Sequence, residues 1–180
     1  MTDDEWNIIE SKLKIINYKK NDIILNIDEV CDKLRFINDG ITRMYYFNEN
    51  AKEFTCHISF NDSENLIDNF SIDFHSFTTK TPTIYEIEAL KDTQIVEISL
   101  NDLTQLSLQT NVLEQLSTKA SLLIHSTMRD GLISKNVSSN TQRYEEFIKR
   151  YEPIYNKIPQ YIIASYLGIT PVGLSKLINK

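Results

Sequence analysis

The sequence predicts an α+β chain: an N-terminal antiparallel sheet closed or nearly closed into a β-roll, then a long helix, then a small helical unit at the C-terminal end. Three observations predict it. Runs rich in Ile, Phe, Tyr and Thr, separated by polar turns, fill residues 14–59 and return at 83–98. From Asn101 the apolar period becomes helical, and the twenty residues from Gln160 to Asn179 carry the spacing of two helices joined by a tight turn. The 180 residues, 41% of them apolar, suffice for a medium domain plus a small one. The expected boundaries are 1–110 for the roll, 111–137 for the long helix and 138–180 for the helical unit.

A short helix is expected around Asp4–Leu13. Strands follow at Asp22–Ile27, Leu34–Ile37, Ile41–Phe47 and Glu53–Ser59, with Asn38-Asp39-Gly40 reading as a hairpin and Asn48-Glu49-Asn50 as a second turn. Two more, Thr83–Ala89 and Gln94–Ile98, are joined by Leu90-Lys91-Asp92-Thr93. Between the strand groups, Ile67, Phe70, Phe74 and Phe77 fall near helical spacing in residues 62–81. One or two helical turns plugging the sheet would produce that stripe, and so would an aromatic-lined ligand pocket. The pocket reading takes Phe70, Phe74, Phe77, Lys80 and Thr83 as its residues.

Leu113, Leu116, Ala120, Leu123 and Thr127 follow 3-4-3-4 spacing along the long helix, the seam of a two-stranded coiled coil, and so predict a homodimer. Leu122, Ile124 and Met128 offer a second apolar line for packing within the chain. Gly131 and Ser138-Ser139-Asn140 mark a hinge.

The balance of 19 Lys+Arg against 25 Asp+Glu excludes a wholly basic nucleic-acid binder, but the charge is uneven. Residues 141–180 hold six cations and three anions, whereas residues 1–140 hold 13 cations and 22 anions. A local anionic partner for the C-terminal segment is the natural expectation. There, Ala164 lets one helix cross closely over the other, Gly168 suits a left-handed turn, and Ile163, Leu167, Ile169, Leu174 and Leu177 fill the wedge between them. Thr170 is placed to cap the second helix and Pro171 to open it. This is the pattern of a DNA-binding helix-turn-helix, with Thr170, Pro171, Val172, Ser175, Lys176 and Asn179 on the outer face. Lys176 would reach a guanine edge or a phosphate, Asn179 an adenine or the backbone, and Thr170 a phosphate.

Sheet roll, long helix and C-terminal helix-turn-helix, in this order, resemble the Crp/Fnr family of transcription regulators over essentially the whole chain. Residues 88–98 look like the closing strands of that family's cyclic-nucleotide-binding roll, which implies a double-stranded β-helix for the sheet region. Residues 141–148 and 158–171 are similar to the DNA-binding end of a subgroup found in Bacteroidetes-type bacteria. The resemblance implies a homodimer on a two-fold operator, its two recognition helices entering successive major grooves about 34 Å apart, with RNA polymerase as a further partner. A signal at the roll would then shift the long helices between two dimer states.

Two departures limit what carries over. Members that bind cyclic AMP hold its phosphate with glycines and an arginine, yet this chain has no glycine between Gly40 and Gly131 and no arginine between Arg43 and Arg129. The arginine's place falls near Thr83, and Asp62, Glu64, Asp68 and Asp73 add repulsion, so cyclic-AMP binding is not expected. The recognition helix carries Pro171-Val172 and Lys176 where those members put Arg-Glu and a later Arg, so their operator does not transfer. Gly173 within it costs roughly 1 kcal/mol relative to alanine.

No other chemistry is indicated. His57, His75 and His125 lack metal-ligand spacing, Cys31 and Cys56 are too few for an iron–sulfur centre, and no catalytic motif is present, so no metal, cofactor or enzymatic activity is expected. An acidic N-terminus and no long apolar run predict a soluble cytoplasmic protein. Two alternatives stay open: a module that binds an apolar small molecule among Phe60, Phe70, Phe74 and Phe77, and a protein-interaction factor that keeps the fold without binding DNA.

Overall fold

The computed structural model describes residues 3–108 and 112–179. Helix α1 (Asp3–Glu10) leads into seven strands: β1 (Lys14–Tyr18), β2 (Ile23–Leu25), β3 (Lys33–Asp39), β4 (Ile41–Phe47), β5 (Glu53–Phe60), β6 (Glu86–Ala89) and β7 (Thr93–Ser99). A 3-10 turn, Leu66–Asn69, and helix α2 (Phe74–Thr79) lie between β5 and β6. The strands form two antiparallel sheets, ordered β1-β7-β3 and β2-β6-β4-β5. Both contribute to one core, Leu25, Ile87 and Ala89 from the four-stranded sheet meeting Ile37 and Ile95 from the three-stranded one.

Asn38-Asp39-Gly40 is not the hairpin its sequence suggests. Strand β3 pairs with β7 and β4 pairs with β5 and β6, so this turn carries the chain from one sheet to the other. Gly40 has φ +124°, and a Cβ there would stand 2.6 Å from the Thr93 backbone. That contact explains the corner. Thr93 begins β7 after a second crossing from β6, and its hydroxyl donates to the Lys91 carbonyl at 2.8 Å. Turn composition signals a reversal but not which sheet the next strand joins. Among the described residues the one tight hairpin between paired neighbours is β4–β5, closed by Asn48 N–H on the Lys52 carbonyl at 3.0 Å.

After β7 the chain is helical: α3 (Leu100–Ser107), α4 (Val112–Val137), α5 (Asn140–Arg150), a 3-10 turn (Tyr155–Lys157), α6 (Gln160–Leu167) and α7 (Pro171–Ile178). Ser99 caps α3, its hydroxyl accepting from the Asp102 N–H at 3.0 Å. Helix α4 runs on through Gly131 to Val137, so the break falls only at Ser138-Ser139. There Ser139 and Gln142 close a reciprocal capping box that starts α5 at once. The side chains of Leu113, Leu116, Ala120 and Leu123 lie outside the described residues; Thr127 is half-buried, and Leu122, Leu132, Ile133 and Val137 are exposed.

A second core joins the C-terminal helices to the four-stranded sheet. Ile41 and Arg43 of β4 and Ile58 and Phe60 of β5 face away from the inter-sheet core. Ile41, Ile58, Phe60 and Leu90 pack there with Tyr144, Phe147, Tyr151, Ile158 and Ile162 of the helical segment. Phe60 lies 6.0 Å from Tyr151, ring to ring, and Phe147 is within 4.7 Å of Tyr151 and 5.0 Å of Tyr166.

Candidate functional site

Helices α6 and α7 meet across a bend of 103°. Gly168 adopts the left-handed conformation at φ +66°, its N–H donating to the Ser165 carbonyl at 3.1 Å, while the Ile169 N–H donates to the Ala164 carbonyl at 3.0 Å. These bonds satisfy the last carbonyls of α6 and turn the chain. Thr170 then caps α7, its hydroxyl accepting from the Gly173 N–H at 3.0 Å, with Pro171 in the first turn, where a missing N–H costs nothing. A Cβ on Gly173 would stand 3.2 Å from that hydroxyl oxygen, so glycine lets the cap close tightly.

Ile163, Ala164, Leu167 and Leu174 are buried, and Ile169 and Leu177 are packed against the same cluster. On the opposite side Thr170, Pro171, Val172, Ser175, Lys176 and Asn179 are all exposed, Val172 at 66%. Asn179 caps the end of α7 and turns its amide back onto the Ser175 carbonyl at 2.9 Å, so its donor is engaged within the helix. Lys149, Lys157 and Lys176 are exposed, whereas Arg150 turns inward.

That inward turn is the feature the sequence concealed. Arg150 grips the fully buried carboxylate of Asp68 through Nε at 3.0 Å and Nη2 at 2.5 Å, across 82 residues of chain. His57 Nε2 stands 3.7 Å from the same carboxylate. Burial, the largest influence, pushes the His57 imidazole down to about 4; Asp68 opposes the shift and Arg150 reinforces it. Asp68 therefore does not add to an anionic surface.

The residues proposed for an effector pocket lie on the inner side of the four-stranded sheet and around α2. Phe70, Phe74 and Phe77 pack against the inter-sheet core, with Phe70 in edge contact with both Phe36 and Phe74. Phe60 faces the other core, so these four phenylalanines do not line one site. Thr83 is buried, donating to Asp73 Oδ2 at 2.7 Å. Asp73 Oδ1 accepts from the His75 and Ser76 N–H groups at the start of α2. The chain's own carboxylate thus occupies donors that an incoming phosphate would need. Lys80 ends α2, exposed, at φ +58°.

Elsewhere, a hollow of about 490 Å³ lies between α1 and the three-stranded sheet, lined by Trp6, Leu13, Ile15, Phe36, Val96 and Ile98 among others. Among the described residues no three His, Cys, Asp or Glu side chains are grouped to hold a metal. No single described helix is long and apolar enough to cross a membrane.

No protein-family model matches the chain, and no curated protein sequence matches it. Solved structures do. A protein from Eubacterium rectale described as a transcriptional regulator of the Crp/Fnr family is similar over 99% of this chain and 82% of its own, with a TM-score of 0.74 at 19% identity. FixK2 from Bradyrhizobium japonicum gives 0.73 at 14% identity, over 93% of this chain and 83% of its own. A CooA mutant from Carboxydothermus hydrogenoformans gives 0.71 at 16% identity, over 95% and 77%. At these identities the likeness shows the fold: the chain folds as Crp/Fnr-type regulators do, two antiparallel sheets carrying helices that end in the α6–α7 pair.

Proposed function

We propose that this protein is a non-enzymatic, DNA-binding transcription regulator of the Crp/Fnr type, allied to the subgroup its C-terminal segment resembles. One observation carries the reading: α7 buries Leu174 in the core and leaves Thr170, Pro171, Val172, Ser175 and Lys176 uncovered, beside the tight Gly168 turn. A recognition helix needs that division.

It acts as a homodimer through α4, along the seam Leu113, Leu116, Ala120, Leu123 and Thr127, on a two-fold DNA operator and with RNA polymerase as a further partner. Few cations are exposed on the C-terminal helices, so two copies are needed for firm binding. The effector pocket does not serve cyclic AMP: the place of the phosphate-binding arginine falls near Thr83, which is buried on Asp73.

Fluorescence anisotropy against duplex DNA tests the reading with Lys176→Glu. An exposed lysine turned acidic leaves the fold intact, so DNA affinity falls at least tenfold with an unchanged melting temperature. Equal affinity for both proteins would refute α7 as the contact. No binding by the wild-type protein at low salt would favour the protein-interaction alternative.

A further inference from the structure

The unit that carries α7 is held to the sheet body of its own chain by four kinds of contact. The first is the shared aromatic and aliphatic core beneath β4 and β5, to which Ile41, Ile58 and Phe60 contribute from one side and Phe147, Tyr151 and Ile162 from the other. The second is ionic. Asp68 sits between β5 and β6 in the chain and has no exposed surface, and Arg150 of α5 is its bidentate partner. Swinging α5 away would strip that carboxylate of its guanidinium and leave it the Asn65 amide at 2.8 Å, which is strongly disfavoured. The third contact is at the sheet edge. Strand β5 is the last in its sheet, and the Ser165 hydroxyl of α6 accepts from the Thr55 N–H at 2.8 Å and donates to the Glu53 carbonyl at 3.1 Å. One serine thus serves an edge strand as a partner strand would. Arg43, buried between Glu88 and Glu53, also stands 5.7 Å from the Tyr161 ring of α6.

All of these contacts use α5 and α6. None uses the outer face of α7, which stays exposed from Thr170 to Asn179. The linkage therefore fixes the position of α7 without covering it. Resting on the DNA-binding reading above, we infer that sheet body and C-terminal helices form a single clamped unit, and that the clamped form is the one that binds DNA. Adjustment between the two copies of a dimer then moves whole units relative to each other, without release of α5–α6 from the sheet.

Crosslinking tests this directly. Thr55→Cys and Ser165→Cys, in a Cys56→Ser background, put one thiol on each of the two residues that the Thr55 N–H to Ser165 hydroxyl contact brings together. Thr55 suits replacement because its buried hydroxyl has no hydrogen-bond partner. The expected result is a disulfide that forms in the folded protein, with oxidised and reduced forms binding duplex DNA within about threefold of each other. A tenfold loss on oxidation would overturn the inference, because binding would then require release; failure of the folded pair to crosslink would also count against it. Hydrogen exchange on the unmodified protein separates this outcome from failure of the DNA reading. If no form binds DNA, amides of Ile162–Leu167 exchanging with the same opening energy as those of β4 still establish the clamp. Exchange of α6 that is orders of magnitude faster than β4 would remove it.

Discussion

The two faces of the four-stranded sheet present different chemistry. The inner face meets the other sheet through small and aliphatic residues, Leu25, Ile87 and Ala89 against Ile37 and Ile95, together with α2 and its phenylalanines. The outer face carries Ile41, Arg43, Ile58 and Phe60 beneath a cluster of aromatic rings from α5 and α6, with a buried ion pair at its margin. An ordinary two-sheet body would leave that outer face to solvent, with polar residues alternating along each strand. Here both faces are covered, the outer one by the helices, with Arg43 buried there on Glu53 and Glu88. The difference teaches that the C-terminal helices are a third layer of the fold, and it bears on how α7 is held.

The largest test of this contrast is Phe147→Ala. Removing a ring buried to 2% exposure should cost roughly 4 kcal/mol. A third layer predicts that chemical denaturation, followed both by Trp6 fluorescence and by helical circular dichroism, keeps one transition at lower denaturant. An appendage would give two transitions, with the Trp6 signal unmoved. Asp68→Ala comes next, at about 3 kcal/mol, because it strands Arg150, itself only 28% exposed, beside a desolvated site. A loss below about 0.5 kcal/mol would mean that the pair is solvated after all.

His57 gives an effect near 2 kcal/mol that depends on pH. Its folded value of about 4 lies below the ordinary imidazole value of 6.5, so the unfolded chain binds the proton more readily. Stability is therefore fully present above pH 6.5 and is lost as the pH falls toward 4. Between pH 7.5 and 5 the linkage amounts to about 2 kcal/mol. Denaturation at both values should show a steeper decline for the wild-type protein than for His57→Gln; parallel declines would assign the acid sensitivity to other groups. The smallest effect belongs to Thr170→Ala, which removes the cap of α7 and costs about 1 kcal/mol. It should weaken DNA binding without changing the Trp6 transition midpoint by more than that amount.

Much of this was legible from local pattern. Strands β4 and β5, the caps at Thr170 and Pro171, the left-handed Gly168 and the burial of Ile163, Leu167 and Leu174 all follow from residues within a few positions of one another, where sterics and periodicity act. What local pattern does not carry has a common origin. Asn38-Asp39-Gly40 has hairpin chemistry, but strand pairing is decided by the Thr93 corner more than fifty residues away in sequence. Asp68 looked like part of a repulsive acidic group, because its partner Arg150 is 82 residues distant. Phe60 looked like a neighbour of Phe70, yet their environments lie on opposite faces. The hollow lined by Trp6, Ile15 and Val96 joins residues from both ends of the sheet body, and no short motif could announce it.

The central claim is that α7 reads DNA as one of a symmetric pair. One round of selection from a random duplex pool, followed by anisotropy at two salt concentrations, tests it most directly. The account predicts enrichment of a two-fold sequence and binding that weakens steeply as salt rises, with cyclic AMP making no difference. No retention of duplex at low salt, or retention with no sequence enriched, would contradict it.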